Sequence, residues 1–329
     1  MKNFKAFVLE KCVENKVTHS ITDLNPSDLM EGDVDVKIEF SSFNFKDGLA
    51  VTNTLPIIKK YPMIPGVDFS GTVIKSSHSN FKKNDNVILN GWGVGESHFG
   101  GFSQMARLSG EWLIKLPEKF NFEQSMIIGS AGYTAALCVL RIKDYIKDIK
   151  SDKVLVTGAS GGVGSIAVNL LAKMGVKVTA LSGKDKDFLY NLGAEEVINR
   201  DSFEISEKPL AKQKWIAAID TVGGDVLSTI ISEIKYDGII ASTGLAKSHE
   251  LNTTVFPFIL RNITLAGVDC VYASYEKRLK AWNFLESKLD LKILERIKSN
   301  KGLSDINGLS KEILAGKIKG RTVINVNNY

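Results

Sequence analysis

The chain has 329 residues, of which 44% are hydrophobic and 24% charged, with a formal net charge of +5 at pH 7. That length exceeds one ordinary core and suits two domains of a soluble globular protein. The positive charge comes from scattered lysines rather than a dense Lys/Arg cluster interleaved with aromatics, which excludes a nucleic-acid site and suits an anionic small molecule.

The first residues mix Lys2, Lys5 and Glu10 into apolar neighbours, without a signal-peptide core, and no run of 18 apolar residues occurs. A cytoplasmic protein without a membrane partner is expected. Short runs bounded by turn residues at Lys5 to Leu9, Asp33 to Ser41, Gly71 to Ile74 and Asn86 to Leu89 predict a front domain of mostly antiparallel strands. The Ala-rich segment from about Ser125 to Ile149 predicts a helix or two leading into a nucleotide-binding unit.

That unit opens with the run Val154-Leu155-Val156, turning through Gly158, Gly161 and Gly164 into a helical pattern. The G-x-x-G-x-x-G spacing between a strand and a helix lets the backbone turn sharply and approach a pyrophosphate at the helix N-terminus. Val163, Ile166, Ala167, Leu170, Leu171 and Met174 form one apolar stripe on that helix. Val176 to Leu181 predicts the second strand of the unit, and its tip reads Ser182-Gly183-Lys184. An NAD site carries a carboxylate there for the ribose hydroxyls; here no carboxylate repels a 2′-phosphate and Lys184 attracts one, so NADPH is the expected cofactor. Further strands are predicted at Glu196 to Ile198, Ile216 to Asp220, Gly238 to Ser242 and Thr264 to Val268, with helical spacers, making a doubly wound parallel sheet. Tyr275 to Ile297 is helical by pattern, and Thr322 to Val326 closes the chain as a strand that returns to the front domain.

Several strings carry a more specific resemblance: Ser42-Phe43-Asn44-Phe45-Lys46-Asp47, Met63-Ile64-Pro65-Gly66-Val67-Asp68-Phe69-Ser70-Gly71, Gly91-Trp92-Gly93-Val94-Gly95-Glu96, Ala218-Ile219-Asp220-Thr221-Val222-Gly223 and Pro257-Phe258-Ile259-Leu260-Arg261-Asn262. With the glycine turn and Leu192-Gly193-Ala194 they resemble the acrylyl-CoA reductase subfamily, in the zinc-free quinone-oxidoreductase-like branch of the medium-chain dehydrogenase/reductase superfamily. The resemblance covers nearly the whole chain. It implies an α/β protein with a β-rich GroES-like catalytic domain at 1–124 and 270–329 and a Rossmann NADPH-binding domain at 125–269. It also implies NADPH-dependent reduction of the double bond of acryloyl-CoA to propionyl-CoA. A homodimer built by pairing Thr264 to Val268 across a two-fold axis is implied as well.

The cofactor contacts it implies are Phe45, Ser160, Gly161, Gly162, Val163, Ser182, Gly183, Lys184, Arg200, Leu245, Ile259 and Cys270. Three of them depart from the subfamily: Phe45 replaces a tyrosine, Lys184 an arginine and Cys270 a serine. Zinc-dependent relatives carry Gly-His-Glu where this chain has Gly66-Val67-Asp68, and valine cannot ligate zinc. Cys12, Cys138 and Cys270, with His19, His78, His98 and His249, offer no tetrahedral set at usable spacing, so no metal is expected. His98 lies in a glycine-rich loop and could face a pocket, although a surface or turn-bracing role is favoured.

Reducing an enoyl thioester requires hydride at the β-carbon and donors for the enolate oxygen until the α-carbon is protonated, with water an available proton source. Asn44, Lys46 and Asp47 are the catalytic candidates, in the segment the superfamily turns toward the nicotinamide. The competing reading is that Asn44 and Asp47 cap a turn and Lys46 is solvated. Phe43, Phe45 and Trp92 are candidate walls of a narrow acyl pocket. A quinone or enone reductase, and an NADPH-binding structural or regulatory protein, remain as alternatives.

Overall fold

The computed structural model describes residues 3–11, 16–183 and 185–329, so Cys12 and Lys184 lie outside the described residues. The chain divides into two compact units: Met1–Ser130 with Cys270–Leu279 and Leu294–Tyr329, and Ala131–Asp269 with Lys280–Ile293. The second unit thus takes in residues 280–293, which sequence reasoning places in the front domain.

In unit 1, strand β1 (Phe4–Lys11) pairs antiparallel with β2 (Val17–Leu24). The main sheet begins with β3 (Val34–Phe43), a strand buried for most of its length. Val34, Val36 and Ile38 are buried completely, while Asp35 between them pairs with Arg107. Helix α1 (Phe45–Thr52) comes next, then β4 (Asp68–Ser76), β5 (Asn86–Asn90), β6 (Met105–Leu108) and β7 (Leu113–Lys115). The chain returns to this unit late, as β14 (Lys298–Gly302), α9 (Ile306–Leu314) and β15 (Arg321–Asn325). The sheet order is β14-β15-β3-β4-β5-β7, with β6 on β3. All its pairings are antiparallel except β14 with β15.

Two registers position the site. Thr322 lies opposite Phe43 on β15 and β3, so Arg321 arrives at the level of Asn44. Ser41 lies opposite Phe69 on β3 and β4, which brings Asp68 to Ser42. Phe43 itself stacks on Phe102 at 5.9 Å in the core and is 1% exposed. It cannot wall a substrate pocket, a correction to the sequence reading.

Helix α2 (Phe122–Tyr145) is broken at Gly129, whose φ of 52° and ψ of −163° suit only a residue without Cβ. It is long and apolar enough to cross a membrane by length and composition, yet most of it is buried in protein.

In unit 2 come β8 (Lys153–Thr157), α3 (Gly162–Lys173), β9 (Lys177–Ser182), α4 (Lys186–Leu192), β10 (Glu196–Asn199), β11 (Trp215–Asp220), α5 (Gly224–Glu233), β12 (Ile234–Ser242), α6 (Phe256–Arg261) and β13 (Thr264–Gly267). The strands are all parallel, in the order β10-β9-β8-β11-β12-β13. This is the doubly wound order whose direction switches between its first and fourth strands, here β8 and β11. Ile166, Ala167, Leu170 and Leu171 of the predicted stripe are fully buried on α3. The predicted helix Tyr275 to Ile297 is two, α7 (Tyr275–Lys288) and α8 (Leu291–Ile297).

Candidate active site

The loop from β3 into α1 carries all three catalytic candidates. Asn44 is the N-cap of α1 and Asp47 sits one turn in, its Oδ2 accepting from the Asn44 backbone N–H at 2.8 Å. Its Oδ1 accepts from the Val67 N–H at 3.2 Å. The carboxyl is fully buried beside Asp68, and burial first, then the Asp68 charge, raise its pKa to about 7.

Asn44 does not use its side-chain oxygen on the helix; Oδ1 accepts from Arg321 Nη1 at 3.2 Å. Its Nδ2 donates to the Ser42 carbonyl and to Asp68 Oδ2, at 3.2 and 3.3 Å. The Ser42 hydroxyl relays the charges: it accepts from Arg321 Nη2 and donates to Asp68, both at 2.8 Å. Gly129 explains the helix break. The Ser130 N–H donates to Asp68 Oδ2 at 2.6 Å, and Arg321 Nε donates to the Ile127 carbonyl at 2.9 Å, so one freed backbone group on each side of the break is met by a buried charge. A Cβ on Gly129 would meet the Ser42 hydroxyl at 2.5 Å. Burial lowers the Arg321 pKa, while the charges of Asp68 and Asp47 oppose that shift.

Lys46, between these buried residues, points elsewhere. Its Nζ donates to Glu96 Oε1, with the two side chains 33% and 14% exposed. Trp92, four residues before Glu96, has φ 58°, an unusual value for a bulky residue, and lies between Gly91 and Gly93, both also at positive φ. Arg278 sits 4.4 Å from its ring centroid, and its indole N–H is buried without an acceptor among the described residues. His98 is buried, with a ring nitrogen 2.7 Å from the Arg107 carbonyl and its edge on Trp112, so it braces the loop as expected.

In unit 2 the glycine turn leaves β8 and enters α3 at its switch-point end. A Cβ on Gly164 would lie 2.4 Å from the Gly158 carbonyl oxygen, so helix and turn touch through backbone. The turn is tied to the neighbouring strand: Thr157 donates to Asp220 at 2.7 Å and accepts from the Thr221 N–H at 3.0 Å. Burial raises the Asp220 pKa, against hydrogen bonds from the Thr157 hydroxyl and the Gly223 and Val222 N–H groups.

Ser160 and Ser182 join hydroxyls at 2.8 Å, and a Cβ on Gly183 would lie 3.2 Å from the Arg200 guanidinium. Ser160, Ser182, Gly183 and Arg200 are therefore brought together, with Gly161, Gly162 and Val163 opening the helix. Leu245 comes after β12, beside Thr221, whose carbonyl accepts from the Ala246 N–H at 3.3 Å. Ile259 on α6 is 68% exposed, and no described hydrogen bond or ring contact ties it to the turn. Phe45 and Cys270 belong to unit 1, where the Cys270 carbonyl accepts from Arg278 at 3.2 Å. A hollow of about 600 Å³ lined by Lys153, Lys177, Glu196 and Lys214 lies at the opposite, amino-terminal end of these strands and contains none of the predicted residues.

Residues 30–118 match the alcohol dehydrogenase GroES-like domain and residues 162–287 the zinc-binding dehydrogenase family. The acrylyl-CoA reductase AcuI of Ruegeria pomeroyi is 40% identical over 98% of this chain and 99% of its own length. The chain belongs to the acrylyl-CoA reductase subfamily of the medium-chain dehydrogenase/reductase superfamily. The crystal structure of the YhdH oxidoreductase of Salmonella enterica in complex with NADP is 43% identical, covers 98% of this chain and 99% of that one, and superposes with a TM-score of 0.95. That of Bacillus subtilis YhfP with NAD bound is 38% identical, covers 99% and 100%, and has a TM-score of 0.94.

The zinc in the second family's description does not fit the residues present. Val67 offers no ligand, and the oxygens of Asp68 are taken by Ser42, Ser130 and Asn44, facing a guanidinium. Among the described residues no group of three or more His, Cys, Asp or Glu could hold a metal ion.

Four members of the unit 1 cluster escape sequence reasoning as site residues: Ser42, Asp68, Glu96 and Arg321. The Gly66-Val67-Asp68 string signals Asp68 only through the missing zinc ligand. Nothing local signals Arg321, which reaches Asn44 across 277 positions of chain.

Proposed function

We propose that this protein is an NADPH-dependent reductase of short 2-enoyl-CoA thioesters, with acryloyl-CoA as its principal substrate and propionyl-CoA as product. Its near full-length similarity to an acrylyl-CoA reductase supports the reaction, and Lys46 is the observation that carries it to particular atoms. Of the three catalytic candidates, Asn44 and Asp47 are consumed by the buried network, whereas the Lys46 ammonium retains N–H donors beyond the one given to Glu96.

In this reading unit 1 is the catalytic unit and unit 2 the cofactor unit. The glycine turn of residues 158–164 fits a pyrophosphate, its α3 N-terminus presenting backbone N–H groups without a side-chain cap. Ser182, Gly183, Lys184 and Arg200 take the 2′-phosphate, and Leu245 and Ile259 flank the cofactor. The cationic Lys184 and Arg200 are the features of this chain that favour NADPH over NAD. When bound, the cofactor supplies the hydride. Lys46 donates to the thioester carbonyl oxygen as it gains charge, and Asn44 and Asp47 fix the start of α1 from which Lys46 projects. Water supplies the α-proton. Phe45 and Trp92 narrow the acyl site.

The protein is proposed to be cytoplasmic and homodimeric, using β13, the last strand of the six-stranded sheet, as its pairing edge.

Steady-state kinetics with acryloyl-CoA, crotonyl-CoA, free acrylate and a naphthoquinone test the reading. Acryloyl-CoA gives the highest kcat/KM, crotonyl-CoA falls roughly tenfold or more below it, and acrylate is nearly inert because the coenzyme A handle supplies binding energy. A quinone with the highest kcat/KM overturns the acyl-CoA reading in favour of a quinone reductase. No turnover with any of them, alongside tight NADPH binding, favours a structural or regulatory role.

A further inference from the structure

Lys46 stands in the first turn of α1, where the helix dipole is positive and a cation is disfavoured. Helix formation therefore gives no reason for a lysine there. Its charge is met instead by Glu96, 50 residues away, at the end of a turn built from residues at positive φ.

Gly91, Trp92, Gly93 and Gly95 all have positive φ. The Gly93 carbonyl accepts from the backbone N–H groups of Glu96 and Ser97 at 3.1 and 2.9 Å. The Glu96 carbonyl accepts from the Lys59 N–H at 2.8 Å, and a Cβ on Gly95 would strike Gly66 at 2.9 Å. The turn is thus pinned on both sides, and the carboxylate it presents is mostly buried. A solvated surface pair needs none of this construction.

We propose that Glu96 is the positioning residue for Lys46. Its carboxylate engages one N–H of the ammonium and fixes Nζ, so the two others are held ready for the carbonyl oxygen of an enoyl thioester. A flexible lysine would otherwise have to be immobilised at each turnover. The inference rests on the reading of Lys46 as the carbonyl donor, and it adds a second residue that never touches the substrate.

A double-mutant cycle on the full chain with NADPH and acryloyl-CoA tests it, using Glu96→Gln, Lys46→Met and the two combined. Glu96→Gln keeps the side chain's size and an acceptor oxygen but removes the charge. It lowers kcat roughly tenfold, with KM for acryloyl-CoA changed less than about threefold and the NADPH Kd unchanged. The double variant is no slower than Lys46→Met alone, because Glu96 acts only through Lys46. A merely structural Glu96 instead lowers Tm and activity alike whether or not Lys46 is present. Losses that multiply in the double variant, or wild-type activity in Glu96→Gln, overturn this inference while leaving the enoyl reductase reading intact. A wild-type enzyme inactive on every enoyl thioester overturns both.

Discussion

Replacing Asp47 by Asn removes a buried carboxyl whose pKa stands at about 7 rather than 3.8. A carboxyl raised on folding binds its proton more tightly in the native state than in the unfolded one. Its stabilisation is fully present below the unfolded value and is lost as pH rises through the folded value. At about 1.4 kcal/mol per pKa unit the whole effect is about 4 kcal/mol, of which about 3 kcal/mol falls between about pH 5 and pH 8. The Asn side chain has one acceptor oxygen where the carboxyl has two, so either the Asn44 or the Val67 N–H loses its partner. That costs about 1–3 kcal/mol at every pH. The variant is therefore less stable than wild type below about pH 4, gains about 3 kcal/mol on it between about pH 5 and pH 8, and is the more stable of the two at about pH 8. Urea unfolding of both proteins across that range, fitted with an intermediate where the two units unfold separately, measures the gap. A gap that stays constant with pH refutes the assignment of a neutral Asp47.

The cofactor turn makes two further predictions. Gly164→Ala forces a methyl against the Gly158 carbonyl and the Ala159 backbone, so NADPH affinity falls roughly tenfold or more in a fluorescence titration; an unchanged Kd contradicts the close approach. Arg200→Ala removes a guanidinium that is largely solvent-exposed, so NADPH binding weakens roughly threefold to tenfold while NADH binding is unchanged; equal loss for both contradicts a 2′-phosphate contact.

The nucleotide unit is legible in the sequence because its signals are local. A strand, a glycine turn and an apolar stripe lie within about 20 residues of one another, and each β–α alternation repeats the same period switch. The front unit is less so. β2 carries Thr18, His19, Ser20 and Thr22 with only Val17 and Ile21 to mark its core face, and β14 reads Lys-Ser-Asn-Lys-Gly, so neither shows a strong strand pattern; each forms because a partner strand is present. α1 is hidden because its helical residues come directly after β3, and Asn44 and Asp47 read equally as cap and as catalyst. The capping interaction is real for Asp47, whereas the Asn44 oxygen goes to Arg321. Phe43 shows the converse error: an aromatic in a catalytic string reads as a pocket wall, although its strand position turns it into the core. Asp68, Arg321 and Glu96 meet their partners through sheet register and a glycine-built turn, neither of which a linear pattern displays.

Hydride transfer to the β-carbon of an enoyl thioester is the step on which the proposed function turns. NADPH carrying deuterium at its transferable position, incubated with the enzyme and acryloyl-CoA in ordinary water, tests it by mass spectrometry and NMR of the product. The expected product is propionyl-CoA with one deuterium, on the β-carbon, and a solvent hydrogen on the α-carbon. Deuterium on the α-carbon, or oxidation of NADPH without labelled propionyl-CoA, contradicts it.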